Sequence, residues 1–512
     1  MSYLSPVSFQ AAFGSGAAMP RFDTDVPPAQ PPAAHRAHGM RAHAGDAWPS
    51  AMLAPLDADD ARFLLARTGF TAPPAEVARY VGMTRAQAVE RLLDGTHRDS
   101  VTPLPAWVDE MPPPRAIRNA WTPEQRRDDQ RLQGQRYDAL RAWWLGEMLV
   151  TPSPLTERMT LFWHRHFTSG QDKVPYARTM AVQHRLLRGE ALGNFGTMLH
   201  AVAKDPAMLQ YLDGASNRKG RPNENFAREV MELFTLGEGH YTQHDVTEAA
   251  RALTGWGLDP DTIETVWHPN LHDDGVKTVL GVTGPLDTDR VLDVLLAQPE
   301  TAGFVAAKLW REFVSDTPDA AELDGIAARF RDSGYEIRAL LVALFSCEAF
   351  WSDRVRGLHV KSPVEFVVGN LRLFEIDYGD AAQFVPVVRG LGENLFAPPN
   401  VKGWPGGTLW INSATLLARK QFIERMFRST TASMKPTARV AGMAAKPATL
   451  RFDLDGWLAR FGTAPQARPT LSAELQLQHA VLPLSPVAAI DADANGAAYL
   501  RALLMDPVYQ LT

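Results

Sequence analysis

Cysteine is nearly absent from this chain of 512 residues, which contains only Cys347. One thiol cannot form a disulfide within the chain and cannot supply a cysteine-based zinc site. Cys347 lies in the apolar stretch LLVALFSCEAFW, where we expect a small buried side chain rather than a nucleophile. The sequence therefore offers neither a cross-link nor a cysteine-based active site.

Long apolar runs and an excess of positive charge are also missing. No run approaches the roughly 18 apolar residues that a membrane-spanning helix needs, so we predict no membrane span. The net charge is −6 and the isoelectric point is near 6.2, which argues against nucleic acid as a partner. The first twenty residues contain no Lys or Arg, unlike a secretory signal. On this N-terminus we expect a cytoplasmic protein, unless the chain has been trimmed.

The familiar catalytic and cofactor motifs do not occur. The sequence has no G-x-S-x-G, H-E-x-x-H, kinase signature, Walker spacing or G-x-G-x-x-G. The Glu-x-x-His pairs of di-iron helical bundles are missing from the helices predicted over residues 224–256. The cofactor, if one is used, is therefore unknown from the sequence.

The periodicity of apolar residues predicts a mostly α-helical protein. Helical spacing begins at LDADDARFLLARTGF, and one long helical pattern runs from about Pro123 to His166. Asp57, Thr84 and Thr242 are predicted N-caps. Strand-type alternation is scarce, and TVLGVTG is the best candidate for an extended piece.

Composition divides the chain into four parts. We predict a flexible, disordered Pro/Ala-rich arm over residues 1–55 and one large multi-helix core with long irregular loops over 56–429. A linker at 430–448 and a small helical segment at 449–512, which docks on the core, complete the predicted organisation.

The densest polar stretch is YLDGASNRKGRPNENFAREVMELFTLGEGHYT, residues 211–242. Pro222 prevents a helix from extending backwards, and Asn223 is a good N-cap, so we predict a helix from about Glu224. At about 100° per residue, its predicted buried stripe is Phe226, Val230, Leu233 and Phe234.

Two carboxylates share one flank of this helix. Asn225, Glu229 and Glu232 lie at positions i, i+4 and i+7. Unequal burial of two carboxylates separates their pKa values and allows one to act as acid and the other as base. Arg228 lies four residues from both Glu224 and Glu232, so neutralisation of charge within a structural helix is the alternative. The spacing is compatible with both.

The loop ahead of the helix carries Asp213, Asn217, Arg218 and Arg221. Basic side chains before a helix N-terminus suit an anion, because the free N–H groups and the macrodipole both favour negative charge. A solvated loop is the alternative.

Two histidines occur in LFWHRHF. On a helix the rings of His164 and His166 point about 200° apart. His166 shares the apolar face with Met159, Phe162 and Trp163. We therefore expect His166 to point inward, either as a core histidine with satisfied hydrogen bonds or as a catalytic acid–base group.

A loop with the sequence NLHDDGVKT supplies His272, Asp273 and Asp274. Together with His164 or His166 these side chains would form a metal-ligand cluster. An Asp-Gly turn is the commoner explanation for such a loop.

Tryptophans follow in two glycine-containing segments. FAPPNVKGWPGGTLWINSATLLARK contains Lys402, Trp404 and Trp410, and Trp256 follows a helix among glycines. Rings on a rigid loop provide flat surfaces on which sugars stack. Alternatively, Trp404 plugs the helical body.

Several stretches together resemble the bacterial domain-of-unknown-function family 1800: WWLGEMLVTPSPLTERMTLFWHRHF, the segment DPAMLQYLDGASNRKGRPNENFAREVMELFTLGEGHYTQHDVTEAARALTGW, HDDGVKTVLG, VKSPVEFVV and LFAPPNVKGWPGGTLWINSATLLAR. The likeness covers roughly residues 56–428 and the C-terminal helix. It implies that residues 211–256 are functional but assigns no role to any of them.

The resemblance also bears on location and partners. Members of the family often look exported, which implies a periplasmic or exported protein if the sequence is trimmed. Their genes often neighbour a second family that resembles sulfatases and phosphatases. The resemblance thus implies a sulfatase- or phosphatase-like protein as a partner.

The first of three functional hypotheses is an enzyme with an acid–base site, a hydrolase or lyase on a carbohydrate-like or anionic substrate. Its expected catalytic residues are Asp213, Glu229, Glu232 and His166. The expected substrate-binding residues are Asn217, Arg218, Asn223, Asn225, Arg228, Trp256, Lys402 and Trp404.

The second hypothesis is a non-catalytic partner or scaffold for the sulfatase- or phosphatase-like neighbour, in which the polar loop is an interface or an internal joint. The third is a metal-dependent enzyme, whose candidate ligands are His164, His272, Asp273 and Asp274.

Overall fold

The structure, a computed structural model, describes residues 48–430 and 450–512. The predicted arm therefore lies outside the described residues as far as residue 47, and the predicted linker lies outside them from residue 431. The described chain begins before the predicted core. Ser50–Leu53 form a 3-10 helix that buries Met52, and Pro55 pairs with Thr84.

The described residues are mostly helical, as the sequence predicts. The first eleven α-helices are α1 (Ala58–Thr68), α2 (Pro74–Val77), α3 (Arg85–Asp94), α4 (Arg115–Asn119), α5 (Pro123–Val150), α6 (Pro154–His166), α7 (Ala177–Gly189), α8 (Phe195–Ala203), α9 (Pro206–Tyr211), α10 (Glu224–Glu229) and α11 (Gln243–Ala252). The later ones are α12 (Thr288–Ala297), α13 (Pro299–Phe313), α14 (Ala320–Asp332), α15 (Ile337–Ser346), α16 (Pro363–Leu373), α17 (Val385–Gly390), α18 (Ser413–Arg428), α19 (Leu454–Ala459), α20 (Leu471–Val481) and α21 (Gly496–Met505).

Shorter elements join these helices. A π-helical turn, Val230–Thr235, directly continues α10. The remaining 3-10 helices are Ala106–Asp109, Gly214–Ser216, Pro269–Leu271, Ala349–Trp351, Asp353–Val355, Ala381–Phe384, Gly407–Trp410 and Pro507–Gln510.

The predicted N-caps are confirmed. The side chains of Asp57, Thr84, Asn223 and Thr242 each accept a hydrogen bond from a backbone N–H in the first turn of the following helix. Each cap satisfies a donor that the helix itself leaves free, which is why these starts were visible in the sequence.

The single long helix predicted from Pro123 to His166 is wrong. The structure has α5 and α6, separated at Thr151 and Ser153. Pro154 lacks a backbone N–H, and its ring disfavours the helical conformation in the residue before it. Ser153 accordingly has φ −120° and ψ 69°, outside the helical region, so one helix ends before it and another begins after it.

Four short strands form two antiparallel hairpins. Strand β1 (Trp256–Leu258) pairs with β2 (Thr265–Trp267), and β3 (Lys277–Val279) pairs with β4 (Val282–Gly284). The second hairpin is the predicted extended piece TVLGVTG. Its two-residue turn needs positive φ at both positions, which Leu280 (48°) and Gly281 (80°) adopt.

Residues 450–512 contact the helices that precede them in the chain. Val360 pairs with Leu511 in a short bridge. The Trp457 indole N–H donates to the carbonyl oxygen of Leu373 (3.0 Å), and the Tyr509 hydroxyl donates to Asn370 on α16 (2.7 Å). The C-terminal segment thus buries aromatic rings against α16. In the ranges that the structure describes, every helix is too short or too polar to cross a membrane.

Candidate functional site

The predicted carboxylate flank lies where an α-helix becomes a π-helix. The Leu236 N–H donates to the carbonyl of Met231 (2.8 Å), five residues earlier, and the Thr235 hydroxyl donates to Val230 (2.6 Å). Such turns hold an extra residue and recur at functional sites. The extra residue rotates the side chains, so Met231 and Phe234 are fully buried. Leu233, predicted in the buried stripe, is only half-buried.

Glu229 has an unusual environment for a carboxylate. It is half-buried, and no group in the described ranges donates a hydrogen bond to it. Burial raises its pKa, and the neighbouring charge of Glu232 raises it further, while Lys402 and Arg228 oppose this effect. A half-buried carboxylate that accepts no hydrogen bond from the described residues is available to bind a ligand.

Glu232, by contrast, is held in place. The Tyr241 hydroxyl donates a hydrogen bond to Oε2 of Glu232 (2.8 Å). Burial, followed by the hydrogen bond to Glu232 and by its charge, raises the pKa of Tyr241 to about 12. Tyr241 therefore stays protonated and remains a donor to Glu232. The two carboxylates, three residues apart, thus differ in their hydrogen bonding, and such a difference in environment is the condition for distinct acid and base roles.

Asp213 lies beside Asn225, one helical turn before Glu229, and has a left-handed backbone (φ 58°), which Asp tolerates better than most residues. Its exposed carboxylate lies 3.5 Å from the Lys173 ammonium and 3.4 Å from the Asn225 amide nitrogen. Next to it, burial, followed by Asp172 and Glu229, raises the pKa of Tyr211 to about 12. Asp213 thus borders the same surface as Glu229.

Three predicted substrate-binding amides form a structural joint instead. Asn217 is buried, donating to Ala250 (2.8 Å) and accepting from the Asn223 N–H (2.9 Å). Asn223 caps α10 through the Asn225 N–H (3.0 Å). Asn225 donates to the carbonyl of Leu212 (3.3 Å). These hydrogen bonds fix the loop against the helix and leave little capacity for a ligand.

The predicted basic groups divide between structure and surface. Arg228 pairs with Glu224 (3.2 Å) and donates to Gln243 (2.8 Å). It makes no salt bridge with Glu232 in the described ranges, so the predicted neutralisation holds only for Glu224. Arg218 and Lys402 are exposed. The Arg218 side chain makes no hydrogen bond or salt bridge within the described residues. The Lys402 ammonium lies 3.8 Å from the exposed Glu238, a weak surface pair that an anionic substrate can displace.

His166 supports the π-helical turn. Its Nε2–H donates to the carbonyl of Phe234 (3.1 Å), and Nδ1 accepts from the Lys308 ammonium (3.2 Å). Burial, with a further contribution from Lys308, lowers its pKa well below the usual value, so the ring is neutral. Of the two alternatives, the structure matches the core histidine.

Lys308 was missed in the sequence. Its ammonium also donates to the carbonyl of Leu233 (2.8 Å), and burial lowers its pKa to about 7. The sequence offered one signal, a lysine within the apolar face of PETAGFVAAKLWREF. At such a position the stem of the lysine side chain is usually buried while its ammonium group reaches solvent.

The proposed metal ligands are not brought together. His164 faces His184 (Nε2 to Nδ1, 3.1 Å), whereas His272 donates to a threonine carbonyl (2.9 Å). Asp273 forms a salt bridge with an arginine (2.9 Å), and Asp274 with a lysine (3.3 Å). Over residues 48–430 and 450–512, no three His, Cys, Asp or Glu side chains are placed to share a metal ion.

The tryptophans do not form an exposed platform. Trp404 and Trp410 are buried, with 7% and 4% of their surface exposed. Of the two alternatives for Trp404, a plug in the helical body matches the structure. Trp256 is half-buried, donates to the Thr288 hydroxyl (3.0 Å) and packs against Trp267, with ring centres 4.9 Å apart and ring planes tilted by 56°.

Neutralising Glu229 and neutralising Glu232 are expected to change the free energy of unfolding in opposite directions. A group whose pKa is raised by folding destabilises the fold as pH rises through that pKa. Glu229→Gln therefore stabilises the protein at pH 7 by about 0.5 kcal/mol, and the gain disappears as the pH falls below the raised pKa. Glu232→Gln loses the charge-assisted bond from Tyr241 and costs about 1 kcal/mol. Urea unfolding at several pH values measures both, and an equal loss in both variants would indicate a purely structural pair.

Comparison with known proteins shows which family the chain belongs to. The model of a protein family of unknown function, DUF1800, matches residues 63–511. The chain belongs to this family. The match includes the carboxylate pair, the loop before α10 and the C-terminal segment that packs on α16. No curated protein and no solved structure matches the chain.

Proposed function

We propose that this member of the DUF1800 family is an enzyme that performs acid–base chemistry with Glu229 and Glu232, a hydrolase or lyase on a carbohydrate-like or anionic substrate. Glu229, the carboxylate with the raised pKa and no hydrogen-bond donor in the described residues, acts as the proton donor. Glu232, oriented by Tyr241, acts as the base. The observation that supports the proposal is this difference between two neighbouring carboxylates.

The charges around the pair favour an anionic or strongly polar substrate. Lys402 and Arg218 are exposed, and Lys173 lies beside Asp213. Exposed ammonium and guanidinium groups bind carboxylate, sulfate or phosphate groups through charge-assisted hydrogen bonds. Asp213 acts in this scheme by holding Lys173 at the loop that precedes α10.

A panel of anionic and neutral polysaccharides, incubated with the parent protein, tests the proposal through the release of reducing ends or of unsaturated products. Glu229→Gln and Glu232→Gln are each expected to lower kcat by about 100-fold or more. The exposed Glu264, which pairs with Arg178, provides the matched control Glu264→Gln, with unchanged kcat.

Two outcomes contradict the proposal: no turnover of any substrate in the panel, or equal activity of the parent and both variants. In either case, the alternative from the sequence becomes the better proposal. That alternative is a non-catalytic partner of a sulfatase- or phosphatase-like protein, which co-purification of the two proteins tests directly.

A further inference from the structure

A cluster of buried positive charge lies between α1, α16, α18 and the C-terminal residues. It consists of Arg62, Arg67, Lys361 and Arg419. Arg67 and Arg419 are fully buried, and the other two are half-buried. None of the four has an Asp or Glu carboxylate at salt-bridge distance within the described ranges, although Arg67 donates to the main-chain oxygen of Thr512 (3.0 Å). Buried charges are normally paired, because removing a charge from water costs several kcal/mol.

The carboxylates nearest to the cluster already have other partners. Glu365 forms a salt bridge with Arg158 and accepts from the Ser362 N–H (2.7 Å). Asp60 pairs with Arg85 and Arg356. The cluster therefore has more positive than negative charge among the described side chains.

Hydrogen-bond donors of the cluster also lack acceptors. Buried N–H groups of Arg62 (Nε), Arg67 (Nε and Nη1) and Arg419 (Nε) have no partner among the described residues. The bonds that the cluster does make go mainly to backbone carbonyls: Arg67 to Val355 (2.7 Å), Arg419 to Lys361 (2.8 Å), and Lys361 to Tyr509 (2.8 Å). Unsatisfied buried donors in a native fold call for an explanation, such as a bound ion.

A cavity opens beside these groups. Its lining includes the cations Arg62, Arg356 and Lys361, the carboxylate of Glu365, and the side chains of Asn370 and Tyr509, together with three phenylalanine rings. About 40 Å³ is open to the centres of water molecules, room for about three of them. A space of this size suits a small ion rather than a nucleotide or a sugar.

Burial and the repulsion between neighbouring cations lower the pKa values of this cluster. Burial lowers the pKa of Lys361 to about 7, and Arg62 and Arg419 lower it further while Glu365 opposes them. Burial also lowers the pKa of Arg67 to about 9. An anion in the cavity would reverse these shifts and recover the lost charge–charge stabilisation.

We propose that this cavity is a binding site for a small oxyanion, phosphate or sulfate, held by Arg62 and Lys361 with Arg67 and Arg419 supplying positive charge around it. Guanidinium and ammonium donors that approach from separate elements match the several acceptor oxygens of such an ion. The ion links α1, the residues before α16 and the C-terminal segment. The site is independent of the Glu229–Glu232 pair and of any activity there.

Isothermal titration of the whole protein with sodium sulfate and with sodium phosphate, at constant ionic strength set by NaCl, tests the proposal. We expect saturable binding at one site. At a sulfate concentration about a hundred times its Kd, thermal unfolding is expected to shift upward by about 3 °C. Sodium acetate forms a separate arm: weaker binding of acetate indicates a tetrahedral oxyanion, whereas equal or tighter binding makes the site one for carboxylates and overturns the assignment to phosphate or sulfate.

Variants separate this site from general salt effects. Lys361→Met and Arg62→Gln are each expected to weaken sulfate binding by about tenfold or more. Lys420→Met is the matched control, because Lys420 follows Arg419 in α18 but is exposed, and it is expected to bind sulfate like the parent. Because Arg62 is only half-buried, Arg62→Gln retains the fold even if Lys361→Met does not. Absence of saturable binding in the parent overturns the proposal, as does unchanged binding by Arg62→Gln.

Discussion

Replacing Arg188 by Met is expected to destabilise the protein by about 3–5 kcal/mol. Arg188 on α7 lies 2.7 Å from Glu157 on α6 and 3.5 Å from Glu147 on α5. Both carboxylates are fully buried. Without the guanidinium, two neighbouring carboxylates remain in the interior with no counter-charge.

Other hydrogen bonds show why the two carboxylates cannot simply move apart. Glu147 accepts from the backbone N–H groups of Val101 (2.9 Å) and Thr102 (2.8 Å). Glu157 accepts from the indole N–H of Trp144 (2.9 Å). These bonds hold both groups at their positions after Arg188 is lost, so the repulsion is not relieved by a small rotation of the side chains.

The destabilisation caused by Arg188→Met is expected to depend on pH. Burial already raises the pKa of Glu157, against the opposing charge of Arg188. In Arg188→Met that pKa rises further, so the folded state binds more protons than the unfolded one, and stability falls as pH rises. Urea unfolding should therefore show a smaller loss at acidic pH than at pH 7.

Arg185→Met is the matched control on the same helix. Arg185 is exposed and lies 3.6 Å from an exposed aspartate, so its loss should change stability by about 0.5 kcal/mol or less. If Arg188→Met costs no more than this control, the buried network does not hold α5, α6 and α7 together.

The same network shows which parts of the fold the sequence could reveal. Helix starts depend on local chemistry, such as the hydroxyl of Thr84 and the carboxylate of Asp57, and these were predicted correctly. The contact of Arg188 with Glu147 and Glu157 joins three helices at separations of 41 and 31 residues. No periodicity relates such positions, because only tertiary packing brings them together.

The candidate site, likewise, could be predicted from the sequence only where it depends on local helix chemistry. Helical spacing correctly placed Glu229 and Glu232 on one stretch, and Asn223 at the helix start. The partners that distinguish the two carboxylates come from elsewhere, since Tyr241 lies in the loop before α11 and Lys402 belongs to a distant segment. The π-helical turn was also unpredictable, because a period of 3.6 residues assumes a regular α-helix.

Replacing Phe234 by Ala is expected to cost about 3–5 kcal/mol, the usual loss for a fully buried aromatic side chain. Phe234 has no exposed surface, and its ring centre lies 5.1 Å from that of Phe167 and 5.9 Å from that of His166. The cavity left by the ring would lie directly under the turn that carries Glu232.

Leu233→Ala, in the same turn, is the matched control. Leu233 is half-buried, so its truncation removes less apolar contact and is expected to cost about 1 kcal/mol. Both substitutions introduce the same residue in the same turn, so the difference between their free energies of unfolding reports mainly burial and the larger size of the Phe side chain. A regular α-helix would bury Leu233 as deeply as Phe234. Equal losses in urea unfolding would therefore contradict the π-helical turn and restore the stripe predicted from the sequence, whereas a much larger loss at Phe234 supports the turn that places Glu229 and Glu232 in unlike environments.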